Sequence, residues 1–220
     1  MNTNSAFLWV SGGIAALAGG LALQGTDIGQ EAWFLSRASG LVAFALLSAS
    51  VILGLLLSTR TAKELMPARI AADLHTFLSV LTLVFLGLHG GALLFDGFFH
   101  FTPLSLLVPF ASPYEPLWTG LGVIGGWGTA IVAASVRMRR RMGYATWRRL
   151  HYVSFLAYVL SLVHGMTAGT DTGLPAVQLL YIGSAAFPNA LVILRLLMGP
   201  EARAAKPATA GQPGSISRAA

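Results

Sequence analysis

The sequence predicts an all-α integral membrane protein, a bundle of six spanning helices. Three observations carry that expectation. Only 10% of the residues are charged and the mean hydropathy is +0.70, whereas a soluble domain of this size carries roughly 25% charged residues. Six runs are long and apolar enough for a bilayer, which takes about 20 residues to cross. The basic residues fall in alternate connections, the pattern of loops on one side of a membrane.

The elements follow in chain order. The first span is expected over 6–24 and contains "FLWVSGGIAALAGGLAL". It lacks the basic leading region of a signal peptide, and its Gly and Ala suit close helix packing, so it reads as a retained helix. The other spans are expected over 34–57, 70–95, 117–136, 147–168 and 176–198. Together they make one transmembrane domain over 1–198. The tail 199–220, "GPEARAAKPATAGQPGSISRAA", is small, polar and expected to be disordered. No run alternates as a barrel strand would. No flavin or nicotinamide domain is expected in these residues, because no GxGxxG follows a strand-like run; "GGIAALAGG" reads as helix packing.

Charge sets the expected topology. Loop 58–69 holds Arg60, Lys63 and Arg69, and loop 137–149, "RMRRRMGYATWRR", holds six arginines. The intervening loops 24–36, 96–116 and 169–175 carry Asp27, Glu31, Asp96, Glu115 and Asp171. The positive-inside rule then puts both termini in the cytoplasm of a multi-pass protein of the inner membrane. The third and fifth spans run in the same direction. The net charge of +6 belongs to these loops and gives no reason to expect nucleic acid; the expected surroundings are lipid. Loop 96–116, "DGFFHFTPLSLLVPFASPYEP", is expected to lie along the outer interface. The chain has no cysteine, which excludes disulfides, thiolate metal sites, iron–sulfur clusters and c-type haem attachment.

Four histidines stand in these apolar runs. His75 and His89 are fourteen residues apart on the third span; His151 and His164 are thirteen apart on the fifth. At about 1.5 Å of rise per residue, each pair covers roughly 20 Å. Because the two helices are parallel, His75 is expected level with His151, and His89 level with His164. Opposed neutral imidazoles suit an iron that needs only two axial ligands. Zinc, which takes three or four protein ligands, is poorly served. The expectation is two stacked b-type haems between the third and fifth spans, with both axial positions filled, which favours electron transfer over oxygen binding. The plainer account of any one such histidine is a hydrogen-bonded packing residue. A spacing of thirteen at about 100° per residue turns the two rings of the fifth span to different azimuths, so that helix must tilt, distort or present its haems differently.

Other residues carry weaker signals. Gly87, Gly90, Gly91, Gly122, Gly125, Gly126, Gly128 and Gly165 suit either a flat porphyrin or small-residue helix packing. Arg37, at the expected outer start of the second span, reads as a partner for outer propionates or an anionic substrate, or as a snorkelling interfacial group. Arg148 and Arg149 read as partners of inner propionates or as ordinary positive-inside charge. Asp73 reads as interfacial or capping, His100 as an exposed loop histidine, and Phe85, Phe155 and Tyr158 as aromatic packing between the two levels.

These residues resemble the ferric reductase-like transmembrane domain, the haem-bearing unit shared by ferric reductases, NADPH oxidases and the bacterial haem subunit of periplasmic methionine sulfoxide reductase. The resemblance covers about 5–198. It rests on the two histidine pairs, on "RRMGYATWRRLHYVSFLAYVLSLVHG" (140–165) and on "SRASGLVAFALL" (36–47), whose arginine, here Arg37, lies near the outer haem in that family. It implies an oxidoreductase component that passes electrons outward through haem. The donor would be a separate protein, a flavin such as FMN, or a quinol; the acceptor on the outer side would be a protein or ferric iron. Two other readings stay open: a haem subunit of a periplasmic sulfoxide reductase, and a small permease or assembly protein whose histidines pack or bind a metal.

Overall fold

The computed structural model describes residues 28–58 and 66–197. The expected first span, the tail, Arg60 and Lys63 lie outside the described residues. Among those described, every regular element is helical: α1 (Ile28–Leu57), α2 (Ala68–Leu93), α3 (Pro103–Leu107), α4 (Pro116–Met142), α5 (Tyr144–His151), α6 (Val153–Ala168) and α7 (Pro175–Leu197). Five helical segments are long and apolar enough to cross a membrane, with α5 and α6 together forming one of them.

Three boundaries differ from expectation. α1 starts at Ile28 rather than 34, so Arg37 sits in its third turn and not at its mouth. The arginine-rich stretch is not a loop: α4 continues through Arg139, Arg140 and Arg141 to Met142. Only Gly143 separates it from α5. Its φ of +80° lies in the left-handed region that suits glycine at a helix end. Loop 96–116 is not all irregular: it folds α3 and buries Phe101, Ser105 and Ser112. Thr102 caps α3 reciprocally with Ser105, and Trp127 Nε1 on α4 donates to the Leu107 carbonyl at 2.9 Å.

The bundle is two antiparallel hairpins, α1 with α2 and α4 with α6, joined through α1, which also packs on α6 and α7. Lipid supplies no hydrophobic drive between helices, so close approach of small residues does the work. Gly29, Ala32, Ser36, Ser39 and Ala43 are buried along one stripe of α1. Gly125 and Gly128 do the same in α4: a Cβ at either would meet Ser161 Oγ at 2.8 Å or Ala157 Cβ at 3.0 Å. Where α1, α6 and α7 meet, Phe44 stacks on Tyr158 at 5.8 Å and meets Tyr181 edge-on at 5.5 Å. The Tyr158 hydroxyl donates to the Ser184 carbonyl. α2 and α6, which carry three of the four histidines, each lean on their own hairpin partner and leave space between them.

Candidate functional site

The expected pairing of histidines is present as geometry. His75 and His151 face each other with ring centres 6.2 Å apart and planes at 70°. His89 and His164 repeat this at 6.2 Å and 68°. The first pair lies at the arginine-rich end, the second at the opposite end. The fifth span, with its spacing of thirteen, is interrupted just after its first histidine. His151 ends α5 and α6 starts at Val153. Short-range bonds bracket the break, from Tyr152 N to Arg149 O at 3.2 Å and from Phe155 N to Tyr152 O at 3.1 Å. Tyr152 itself keeps φ −65° and ψ −17°, and both rings meet a histidine of α2.

Backbone carbonyls orient three of the rings. His75 Nδ1 donates to Ser50 O at 3.0 Å, His89 Nδ1 to Ser36 O at 2.9 Å, and His164 Nδ1 to Trp118 O at 3.0 Å. A neutral imidazole with its proton on Nδ1 keeps a lone pair on Nε2. His151 Nδ1 has no partner among the described residues; its ring is held by stacking on Trp147 at 5.0 Å and 30°. Arg139 in turn lies 4.8 Å over the Trp147 ring.

Glycines let the rings in. A Cβ on Gly40 would stand 2.8 Å from His89 Nδ1, one on Gly54 3.3 Å from His75 Cε1, and one on Gly122 2.7 Å from His164 Cγ. Gly87, Gly90 and Gly91 have nothing within 4 Å of such a Cβ and border a cavity of about 520 Å³ that contains His89 and His164. A larger cavity of about 1520 Å³ contains His75 and His151. Gly165 instead admits Tyr181.

The other expected residues fall as follows. Arg37 borders the cavity of His89 and His164, and its guanidinium is gripped by both carboxylate oxygens of Asp171, with Nε 2.8 Å from Oδ2. Arg148 borders the cavity of His75 and His151 and reaches the Tyr144 and Tyr152 hydroxyls at 3.4 Å each. Arg149 is exposed and stands away from that cavity. Arg137 and Arg139, which were not expected, do border it. Tyr158 belongs to the packing core, and Phe155 packs beside it while lining the larger cavity. Phe85 borders neither cavity. Asp73 and His100 are exposed, and Pro67, not Asp73, precedes α2 as its cap. Among the described residues there is no group of three or more His, Cys, Asp or Glu able to hold a metal ion.

Sequence reasoning missed Ser36, Ser50, Gly40, Gly54, Trp147 and Asp171. A signal for four of them was present. α1 carries Ser-x-x-x-Gly twice, at 36–40 and 50–54, repeated at the same fourteen-residue interval as His75 and His89. In an antiparallel hairpin of constant register, equal intervals on both helices bring the same partners together at both levels.

A family model described as ferric reductase like transmembrane component matches residues 39–162. The chain belongs to this family. The matched stretch contains both glycines of the α1 repeat and His75, His89 and His151, while His164 lies two residues past its end. No curated protein and no solved structure gave a match.

Proposed function

We propose that this member of the ferric reductase-like family is a transmembrane b-type cytochrome. In this reading His75 and His151 hold one haem near the cytoplasmic side, and His89 and His164 hold a second near the outer side of the inner membrane. The observation that carries it is the repeated facing of two imidazoles at 6.2 Å. Metal–imidazole bonds of about 2.0–2.1 Å and roughly 1 Å from nitrogen to ring centre at each end give about 6 Å between centres. The donor set agrees: Nδ1 of three rings is spent on a carbonyl, and Nε2 is left for iron.

When bound, each haem supplies an iron that takes up and gives back one electron. The chain supplies the rest. Four neutral imidazoles would hold the two irons, and ligation from both sides would disfavour oxygen binding. Open glycine faces at Gly87, Gly90 and Gly91 leave room for a flat macrocycle. Arg137, Arg139 and Arg148 offer cations for carboxylates on the cytoplasmic side, and Arg37 does so on the outer side, its charge shared with Asp171. The function is outward electron transfer from a separate protein, a flavin such as FMN, or a quinol, to a protein or ferric iron outside. In this reading the arginines of 137–149 lie on the cytoplasmic side, and with a first span over 6–24 both termini lie there too.

The test is a reduced-minus-oxidised spectrum of the purified protein with a haem-to-protein ratio. Two haems per chain, with a b-type spectrum, is the expected result. A colourless protein made with ample iron and porphyrin rejects the reading.

A further inference from the structure

The fourteen-residue repeat on α1 does more than let the rings approach. Each serine of the repeat reaches its histidine a second time, through the side chain: Ser36 Oγ stands 3.1 Å from His89 Nδ1, and Ser50 Oγ 3.1 Å from His75 Nδ1.

Counting protons fixes the direction of these contacts. A hydroxyl has one proton to give. That of Ser36 goes to the His89 carbonyl at 3.0 Å, so a lone pair of Oγ faces His89 Nδ1. At the other level the Ser79 hydroxyl donates to the His75 carbonyl at 2.8 Å. Ser50 therefore donates to Ser79 Oγ at 2.9 Å, and again a lone pair faces the ring. Both imidazoles thus give one N–H to two oxygens, a carbonyl and a hydroxyl, with a glycine behind the ring. The opposite histidines lack this arrangement: among the described residues His164 Nδ1 meets the Trp118 carbonyl alone, and His151 Nδ1 has no partner.

We infer that Ser36 and Ser50 are positioning residues that fix the proton and plane of His89 and His75, so that each haem level has its own hydroxyl control of reduction potential. The inference rests on the haem reading above. An imidazole whose N–H is accepted by more oxygen is a more basic ligand, and a more basic ligand favours the oxidised metal. Removing the hydroxyl should therefore raise the potential at that level alone.

The experiment is redox titration of Ser36→Ala and Ser50→Ala, with haem content measured and levels assigned from His89→Ala. Expected is full haem with an upward shift confined to one level. A tenfold change in the one-electron equilibrium would read as about 59 mV. Ser36→Thr and Ser50→Thr, which keep the hydroxyl, should return the wild-type value. Loss of haem from one level only, rescued by Thr, also supports the inference. Unchanged potentials at full haem content overturn it, as do equal shifts at both levels or loss of haem that Thr does not restore. Nitrogen-15 NMR of the haem-free protein gives a separate reading. It should show His75 and His89 protonated on Nδ1, with the His89 signal moved by Ser36→Ala. A wild-type protein that takes up no haem defeats the functional reading; haem-bearing variants that do not shift defeat this inference alone.

Discussion

Arg37 in α1 and Asp171 in the α6–α7 connection form a two-point ion pair across 134 residues of sequence, at 30% and 17% side-chain exposure, on the border of the His89–His164 cavity. The pair clamps the α6–α7 connection onto α1 and leaves the guanidinium only partly free to serve an anion in the cavity.

Asp171→Asn should uncover that charge. The expected outcome is a higher midpoint potential for the haem proposed between His89 and His164, because a cation favours the reduced state. Arg37→Met in the same chain should bring it back. A double-mutant cycle on thermal unfolding should give a coupling of about 0.5–3 kcal/mol. A zero coupling would remove the clamp from the account.

His89→Ala and His164→Ala should each abolish the same haem. Their difference spectra should fall to about half amplitude and match each other, since a bis-histidine site lost from either side is the same site lost. Residual spectra that differ between the two variants would show that these imidazoles do not share an iron.

Gly122 and Gly87 make opposite steric predictions. A Cβ at Gly122 would lie 2.7 Å from His164, whereas one at Gly87 meets nothing within 4 Å. Gly122→Ala should displace the His164 ring and deplete its haem. Gly87→Leu extends into the cavity proposed to take the macrocycle, so it should leave helical content and folding intact while lowering haem content. Full haem in Gly87→Leu would show that the macrocycle lies elsewhere.

Trp147 is the support of His151, whose Nδ1 meets no carbonyl among the described residues, unlike the other three rings. Aromatic stacking is worth about 0.5–1.5 kcal/mol. Trp147→Ala should therefore loosen the haem at the arginine-rich end by roughly two- to tenfold, read from haem retention during dilution. Trp147→Phe should keep most of it, and the haem at the other level should not respond.

How much of this was legible in the sequence differs residue by residue. Low charge and six long apolar runs set the class, and every regular element among the described residues is a helix. The levels of the four histidines were also legible, because depth along a helix is a local quantity: rise per residue times spacing, with direction set by the charge of the loops. The helix through Arg139–Arg141 and the start of α1 at Ile28 were not, since a helix end in polar surroundings carries no hydropathy edge.

The sequence by itself determined a membrane-embedded helical protein with imidazoles at two depths. Only the tertiary structure decided which side chains meet: Trp147 on His151, the Ser36 and Ser50 oxygens on His89 and His75, and Asp171 on Arg37. Depth follows from one helix alone, whereas azimuth and partners arise when segments distant in the chain pack. Spacing therefore foretells the first and leaves the second to the fold.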